Sequence, residues 1–379
     1  GRAGADYMEF NFTLGSALGA DFRGEADNDT LAGGLAAAGT AVSADAHASA
    51  DPEPVLEPDL PIVDPHHHLW DHPARGGNPA HRYLLPDFLA DVASSGHHIV
   101  ETVFVECMSM YRADGPVELR SLGETEFVNG IAAMSASGNY GKTRICAGIV
   151  GTADLTLGEA VREVLEAHIR VAGGRFRGIR HAVAWDASVP VSSTTSEHML
   201  ENPAYRAGFA QMAPLGLSYD AWLYHPQLPE LTAVARAFPE TQIVLNHIGA
   251  PLGVGPYAGR RDEIFATWSA SMRELAGCQN VHVKLGGMGM GRYGNRFHEQ
   301  PTPPSSEAMA AVFRPYVETC VELFGTARCM FESNFPVDKG AYPYAAYWNA
   351  CKVLTRGLSD AEKADLFRGT AARFYRLNV

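Results

Sequence analysis

"IVDPHHHLW", residues 62–70, puts three imidazoles at the end of an apolar run, and its reading decides how the rest of the chain is read. On a strand, successive side chains alternate between faces, so His66 and His68 share one face and His67 takes the other. Three adjacent histidines also suit a plain polar loop. Ile62 and Val63, which open a β-like segment, favour a strand end that presents an H-x-H pair, an arrangement suited to acid/base chemistry or metal binding.

Seven further apolar runs follow the first (60–66), at 99–107, 143–151, 176–183, 216–224, 242–249, 280–287 and 328–335. Segments of helical period lie between them at 157–172, 229–238, 261–277 and 306–325. Strands alternating with helices imply βα units and a parallel sheet. Eight units, with no G-x-G-x-x-G after any strand, point to an α/β fold of the (β/α)8 TIM-barrel type rather than an open doubly wound sheet. A last helix is expected over 359–377, opened by the cap pattern Ser359-x-x-Glu362.

A barrel of this kind builds its site at the C-terminal ends of its strands. His66 and His68 end the first, Glu106 the second, Arg180 and His181 the fourth, His225 the fifth and His247 the sixth. Lys284 lies late in the seventh, and Glu332, Ser333, Asn334 and Asp338 finish or follow the eighth. The convergence of polar groups at these ends marks a site. Glu332 also reads as an interior carboxylate paired with Lys284 or Arg180. Arg180 reads as a barrel ion pair or, through its rigid fork, as a clamp on a substrate carboxylate or carbonyl. His67 and His72 are read as support, and His97 and His98 as bottom-face residues.

The net charge of −13 argues against nucleic-acid and anionic-membrane partners. Residues 1–59 hold eleven carboxylates against Arg2 and Arg23 and are rich in Ala and Gly. They read as a low-complexity N-terminal extension (1–58) before a catalytic domain (59–379). The six scattered cysteines form no C-x-x-C pair, and no run of 18 apolar residues occurs, so a cytoplasmic enzyme with free thiols is expected. Its partner is expected to be a small-molecule substrate, with homo-oligomerisation left open.

"VDPHHHLWD", "FRGIRHAV", "YHPQLPEL", "VLNHIGAP", "VHVKLGGM" and "CMFESNFPVDK", in this order, resemble the amidohydrolase-related branch of the amidohydrolase superfamily, over about residues 60–377. Within it they are most similar to the lactonase-type group that includes pyrone-dicarboxylate lactonase and sugar-lactone hydrolases. The resemblance implies a barrel whose H-x-H falls on His66 and His68, with His225 and His247 as the fifth- and sixth-strand histidines. It implies zinc or manganese on His66, His68 and His225, or a site that works without metal.

The family's eighth-strand aspartate, in a G-S-D-W-P-like motif, falls on Asn334. An amide can orient water but cannot take its proton. Glu332, two residues earlier and expected on the same face, or His225 or His247, then becomes the base. The expected catalytic set is His66, His68, His225, His247, Glu332 and Asn334, with Arg180, Glu106, Lys284 and His181 around the substrate. The expected activity is hydrolysis of a small cyclic ester. A metal-dependent non-oxidative decarboxylase and a catalytically silent ligand-binding barrel are the alternatives.

Overall fold

The computed structural model describes residues 53–73, 81–188 and 195–379. Its strands, in chain order, are β1 (Pro61–His67), β2 (Trp70–His72), β3 (His81–Tyr83), β4 (His98–Val105), β5 (Arg144–Gly151), β6 (Phe176–Ile179), β7 (Ser218–Ala221), β8 (Ile243–Leu245), β9 (Val281–Leu285) and β10 (Cys329–Phe331). The hairpin β2–β3 stands aside. The other eight pair in parallel in sequence order, β1-β4-β5-β6-β7-β8-β9-β10. A bridge from His67 to Phe335 closes the ring, with His68 N donating to Phe335 O at 2.8 Å and Asn334 N to His66 O at 2.9 Å. The fold is a (β/α)8 barrel, as the alternation of runs implied.

Each of the eight apolar runs coincides with one barrel strand, and six of the strands stop short of their runs' ends. The run at 242–249 leaves the ladder after Leu245, where His247 (φ 54°), Ile248 (52°) and Ala250 (39°) turn left-handed. A helix at Leu122–Ala136 follows β4. Gly123, a loop signal in sequence, is there because a Cβ would lie 2.3 Å from Met110 O.

Inside the barrel, Val63, Val103, Val105, Val150, Val244 and Met330 form an apolar layer with Ala371, Phe374 and Tyr375 of the C-terminal segment. That segment begins with the expected box: Glu362 Oε2 accepts from Ser359 N at 2.8 Å and Ser359 Oγ from Glu362 N at 3.4 Å. It runs through Asp360–Ala364, a π-turn at Asp365–Gly369 and Thr370–Phe374. Arg376 Nη2 bonds Arg177 O early in β6, so the segment covers the N-terminal mouth of the barrel. Each large side chain buried there stabilises by roughly 1.5–3 kcal/mol.

Of the expected extension, residues 1–52 lie outside the described residues. Residues 53–57 are tied to the barrel: Asn349 bonds Pro54 O and Leu56 N, and the buried Lys352 Nζ donates to Leu56 O and Glu57 O at 2.7 and 2.8 Å. The six cysteines are free and buried. Among the described residues, no helix is long and apolar enough to cross a membrane.

Candidate active site

At the end of β1, alternation delivers what the H-x-H reading required. The rings of His66 and His68 meet edge to face at 5.0 Å, while His67 points outward, stacks on Phe88 at 4.3 Å and bonds Thr102 Oγ1. A register shift in the β1–β4 ladder between Asp64 and His67 helps set this aim, the usual work of a bulge beside a site. His68 bonds Val105 O at 2.7 Å through Nδ1. A carbonyl only accepts, so Nδ1 carries the proton and Nε2 a lone pair.

Glu332 is the hub. Wholly buried, it accepts His247 N at 2.9 Å and His247 Nδ1 at 2.6 Å on Oε1, while Oε2 lies 2.6 Å from His66 Nδ1. The His66 contact is off-axis, so Oε2 has no well-formed hydrogen bond. Burial pushes this carboxyl up to about 8, against the opposing pull of Lys284. Burial, then the charges of Arg180 and Lys284, hold His247 well below the ordinary imidazole range.

The left-handed turn that aims His247 carries backbone strain, at about 1–2 kcal/mol for such a residue. Three bonds secure it: Glu332 on His247 N, Tyr293 OH on His247 O at 2.5 Å, and Trp268 Nε1 on Ile248 O at 2.7 Å. Gly287 supplies the floor, because a Cβ there would lie 2.3 Å from His247 Nδ1. The rings of Trp222 and His247 meet edge to face at 4.9 Å, and the Arg292 guanidinium lies over Trp222 and Tyr224.

Two cations flank the hub. Arg180 gives Nε to Glu106 Oε1 at 2.6 Å, Nη2 to Glu106 O at 2.5 Å and Nη1 to His66 Nε2 at 3.3 Å. Its fork has five N–H groups, so others remain for a substrate oxygen. Lys284 Nζ donates to Asp220 Oδ2 at 2.7 Å and stands 3.2 Å from His66 Nδ1 and 4.0 Å from Glu332 Oε2. Asp220 also takes Tyr375 OH at 2.8 and 3.0 Å and Asn246 Nδ2 at 3.1 Å. Arg180 can only donate, so its Nη1 contact takes the Nε2 lone pair of His66, while His66 Nδ1 lies between Lys284 Nζ at 3.2 Å and Glu332 Oε2 at 2.6 Å.

The remaining expected residues have other partners. His225 stands at the same barrel end, where its backbone N donates to Ala250 O, its Nδ1 accepts Leu252 N at 3.3 Å and its ring meets Tyr257. Burial lowers its pKa to about 4, so it is neutral with the proton on Nε2. His181 accepts Leu155 N at 3.1 Å and packs on Tyr205. Asn334 does not follow Glu332 onto the hub. β10 ends at Phe331, and with φ at 57° the Asn334 amide turns to Asp338 Oδ1 at 3.0 Å. Asp220, Tyr375 and Trp222 went unnoticed in the sequence, although a carboxylate in the apolar run "SYDAW" was the available signal for the first.

His66, His68 and His225 do not assemble as a metal ligand set. His66, His247 and Glu332 do bring one donor atom each within 4.8 Å of one another, the donor chemistry of a zinc centre. With Lys284 in place, a divalent ion does not fit this trio. Arg180 holds His66 Nε2, and because Lys284 Nζ lies 3.2 Å from Nδ1, an ion on Nδ1 would stand no more than about 5 Å from a buried ammonium. Such a pair repels by ~7 kcal/mol at an effective dielectric of about 20, an upper figure because Asp220 offsets part of the lysine charge.

A family model described as Amidohydrolase matches residues 63–377. An uncharacterized protein, y4mH, of Sinorhizobium fredii is 35% identical over 335 residues, 84% of this chain and 99% of its own. An L-fucono-1,5-lactonase of Burkholderia ambifaria is 26% identical over 83% of this chain and 96% of its own. Among solved structures, an amidohydrolase from Burkholderia multivorans with bound zinc superposes with a TM-score of 0.64 at 23% identity, over 84% of this chain and 99% of that one.

Proposed function

Because the chain belongs to the amidohydrolase family, we propose that it opens a small cyclic ester by adding water to the carbonyl carbon. The observation that carries this reading is the buried Glu332–His247 pair with the Arg180 guanidinium beside it. Glu332 holds Nδ1–H of His247, which leaves the Nε2 lone pair to take a proton from the attacking water. As the carbonyl carbon becomes tetrahedral, negative charge builds on its oxygen, and the uncommitted N–H groups of Arg180 are the preorganised donors for it. The ring C–O bond then breaks, and the proton on His247 passes to the leaving oxygen to give a hydroxy acid. The neutral Nε2–H of His225 is a further donor for substrate. The name carried by the Burkholderia ambifaria relative supports a sugar-type lactone as the ring.

Purified full-length chain is to be assayed on aldono-lactones by acid release and on aromatic carboxylic acids by carbon dioxide release. Lactone opening well above the spontaneous rate is the expected result. Carbon dioxide release with no lactone opening would overturn the reading in favour of a decarboxylase. Tight ligand binding with no turnover would leave a binding barrel.

A further inference from the structure

We propose that the Lys284 ammonium is the resident cation of this site, seated among Asp220, His66 and Glu332 where a metal ion would otherwise be held. Lys284 is wholly buried, with Nζ 2.7 Å from Asp220 Oδ2, 3.2 Å from His66 Nδ1, 4.0 Å from Glu332 Oε2 and 5.3 Å from the Tyr375 ring. A buried lysine whose ammonium faces two carboxylates, a ring nitrogen and an aromatic ring is placed as a bound cation is placed. Its seat is built from four elements. Asp220 comes from β7, Glu332 from the turn after β10, His66 from β1 and Tyr375 from the C-terminal segment, which also fixes both Asp220 oxygens. Glu332 Oε2, buried and without a well-formed hydrogen bond, is the oxygen this cation balances.

The consequence is a latent metal site. Removing the ammonium leaves His66, His247 and Glu332, whose donor atoms lie within 4.8 Å of one another, with the buried Asp220 carboxylate where the ammonium was held, a donor set for a zinc-type ion. Lys284 is a positioning residue here: it fixes the charge state and aim of His66 and Glu332 and forms no bond to substrate. The inference rests on the geometry of the seat and holds for whichever carbonyl compound is the substrate.

The test uses Zn²⁺ alone as the probe, on full-length protein expressed in zinc-supplemented medium. The wild type is expected to carry well under about 0.1 zinc per chain after gel filtration and to show no saturable calorimetric binding up to about 100 μM. Lys284→Ala, checked for fold by circular dichroism, is expected to gain one saturable zinc site that Lys284→Ala/Glu332→Gln lacks. About one zinc per wild-type chain, or a folded Lys284→Ala that binds none, overturns the proposal. If Lys284→Ala does not fold, Lys284→Met takes its place, and the wild-type zinc measurement decides by itself. Because zinc binding needs no substrate, failure of the lactone reading leaves this result intact.

Discussion

Asn334→Leu separates two roles for Asn334, water positioning and support of the turn after β10. The amide donates to Asp338 Oδ1 at 3.0 Å, and the backbone sits left-handed at φ 57°, a conformation asparagine tolerates and leucine does not. The backbone term costs about 1–2 kcal/mol. Stripping a donor from the buried Asp338, which keeps only Gly289 N and Tyr342 OH, costs about 1–3 kcal/mol more. The sum is about 2–5 kcal/mol, or a fall in Tm of roughly 3–8 °C for a domain of this size. Asn334→Gly keeps the backbone conformation and is expected to show only the hydrogen-bond part. Thermal unfolding by circular dichroism and kcat of the folded fraction, taken on one sample, give both numbers. The expected result is a destabilised Leu variant with kcat within about tenfold of wild type. An unchanged Tm with a loss of about 100-fold or more in kcat would refute the reasoning and make Asn334 a water-positioning group.

Glu332→Gln keeps an oxygen for His247 N–H but cannot hold the imidazole as a base. Its kcat/KM is expected to fall by about 10²–10⁴ with little change in Tm, and a loss under about fivefold would exclude the dyad. Glu124 is buried with Oε1 accepting Cys107 N and Ser109 N, and burial and then Glu106 raise its pKa. A carboxyl raised in the folded state gives stability that is full below its unfolded value and lost as pH rises through the folded one. Glu124→Gln is therefore expected to gain on wild type in Tm as pH goes from 5 to 9, and a constant difference would contradict this. Removing residues 1–52 is expected to leave Tm nearly unchanged. Removing 1–58 takes two carbonyls from Lys352 and is expected to cost roughly 1–3 kcal/mol, read by urea unfolding.

Period and strand-end chemistry made the barrel legible, because each strand is an apolar run and polar groups stand where it ends. They also picked out His66, His68, Glu106, Arg180, His247, Lys284 and Glu332, which the structure brings into one cluster. The hub itself was not legible. Alternation puts Glu332 and Asn334 on one face only while the strand lasts, and it stops at Phe331. The turn that aims His247 depends on Tyr293 and Trp268, distant in sequence and apolar in appearance. Asp220 sits within an apolar strand, and its partner Tyr375 comes 155 residues later, so no local pattern joins them. The helix at Leu122–Ala136 carries in its first turn Gly123, a poor helix former whose role is tertiary.

The pH dependence of kcat/KM for lactone opening, corrected for the spontaneous reaction, tests the account most directly. The base form of the Glu332–His247 pair has Glu332 ionised and keeps a single proton, on His247 Nδ1, and Glu332 is pushed up to about 8. The expected profile rises with pH and levels off above about 8 in the wild type, and Glu332→Gln lacks this rise. A wild-type profile that is flat from about pH 5 to 9, or that falls as pH rises, would contradict a buried carboxylate–imidazole base at this site.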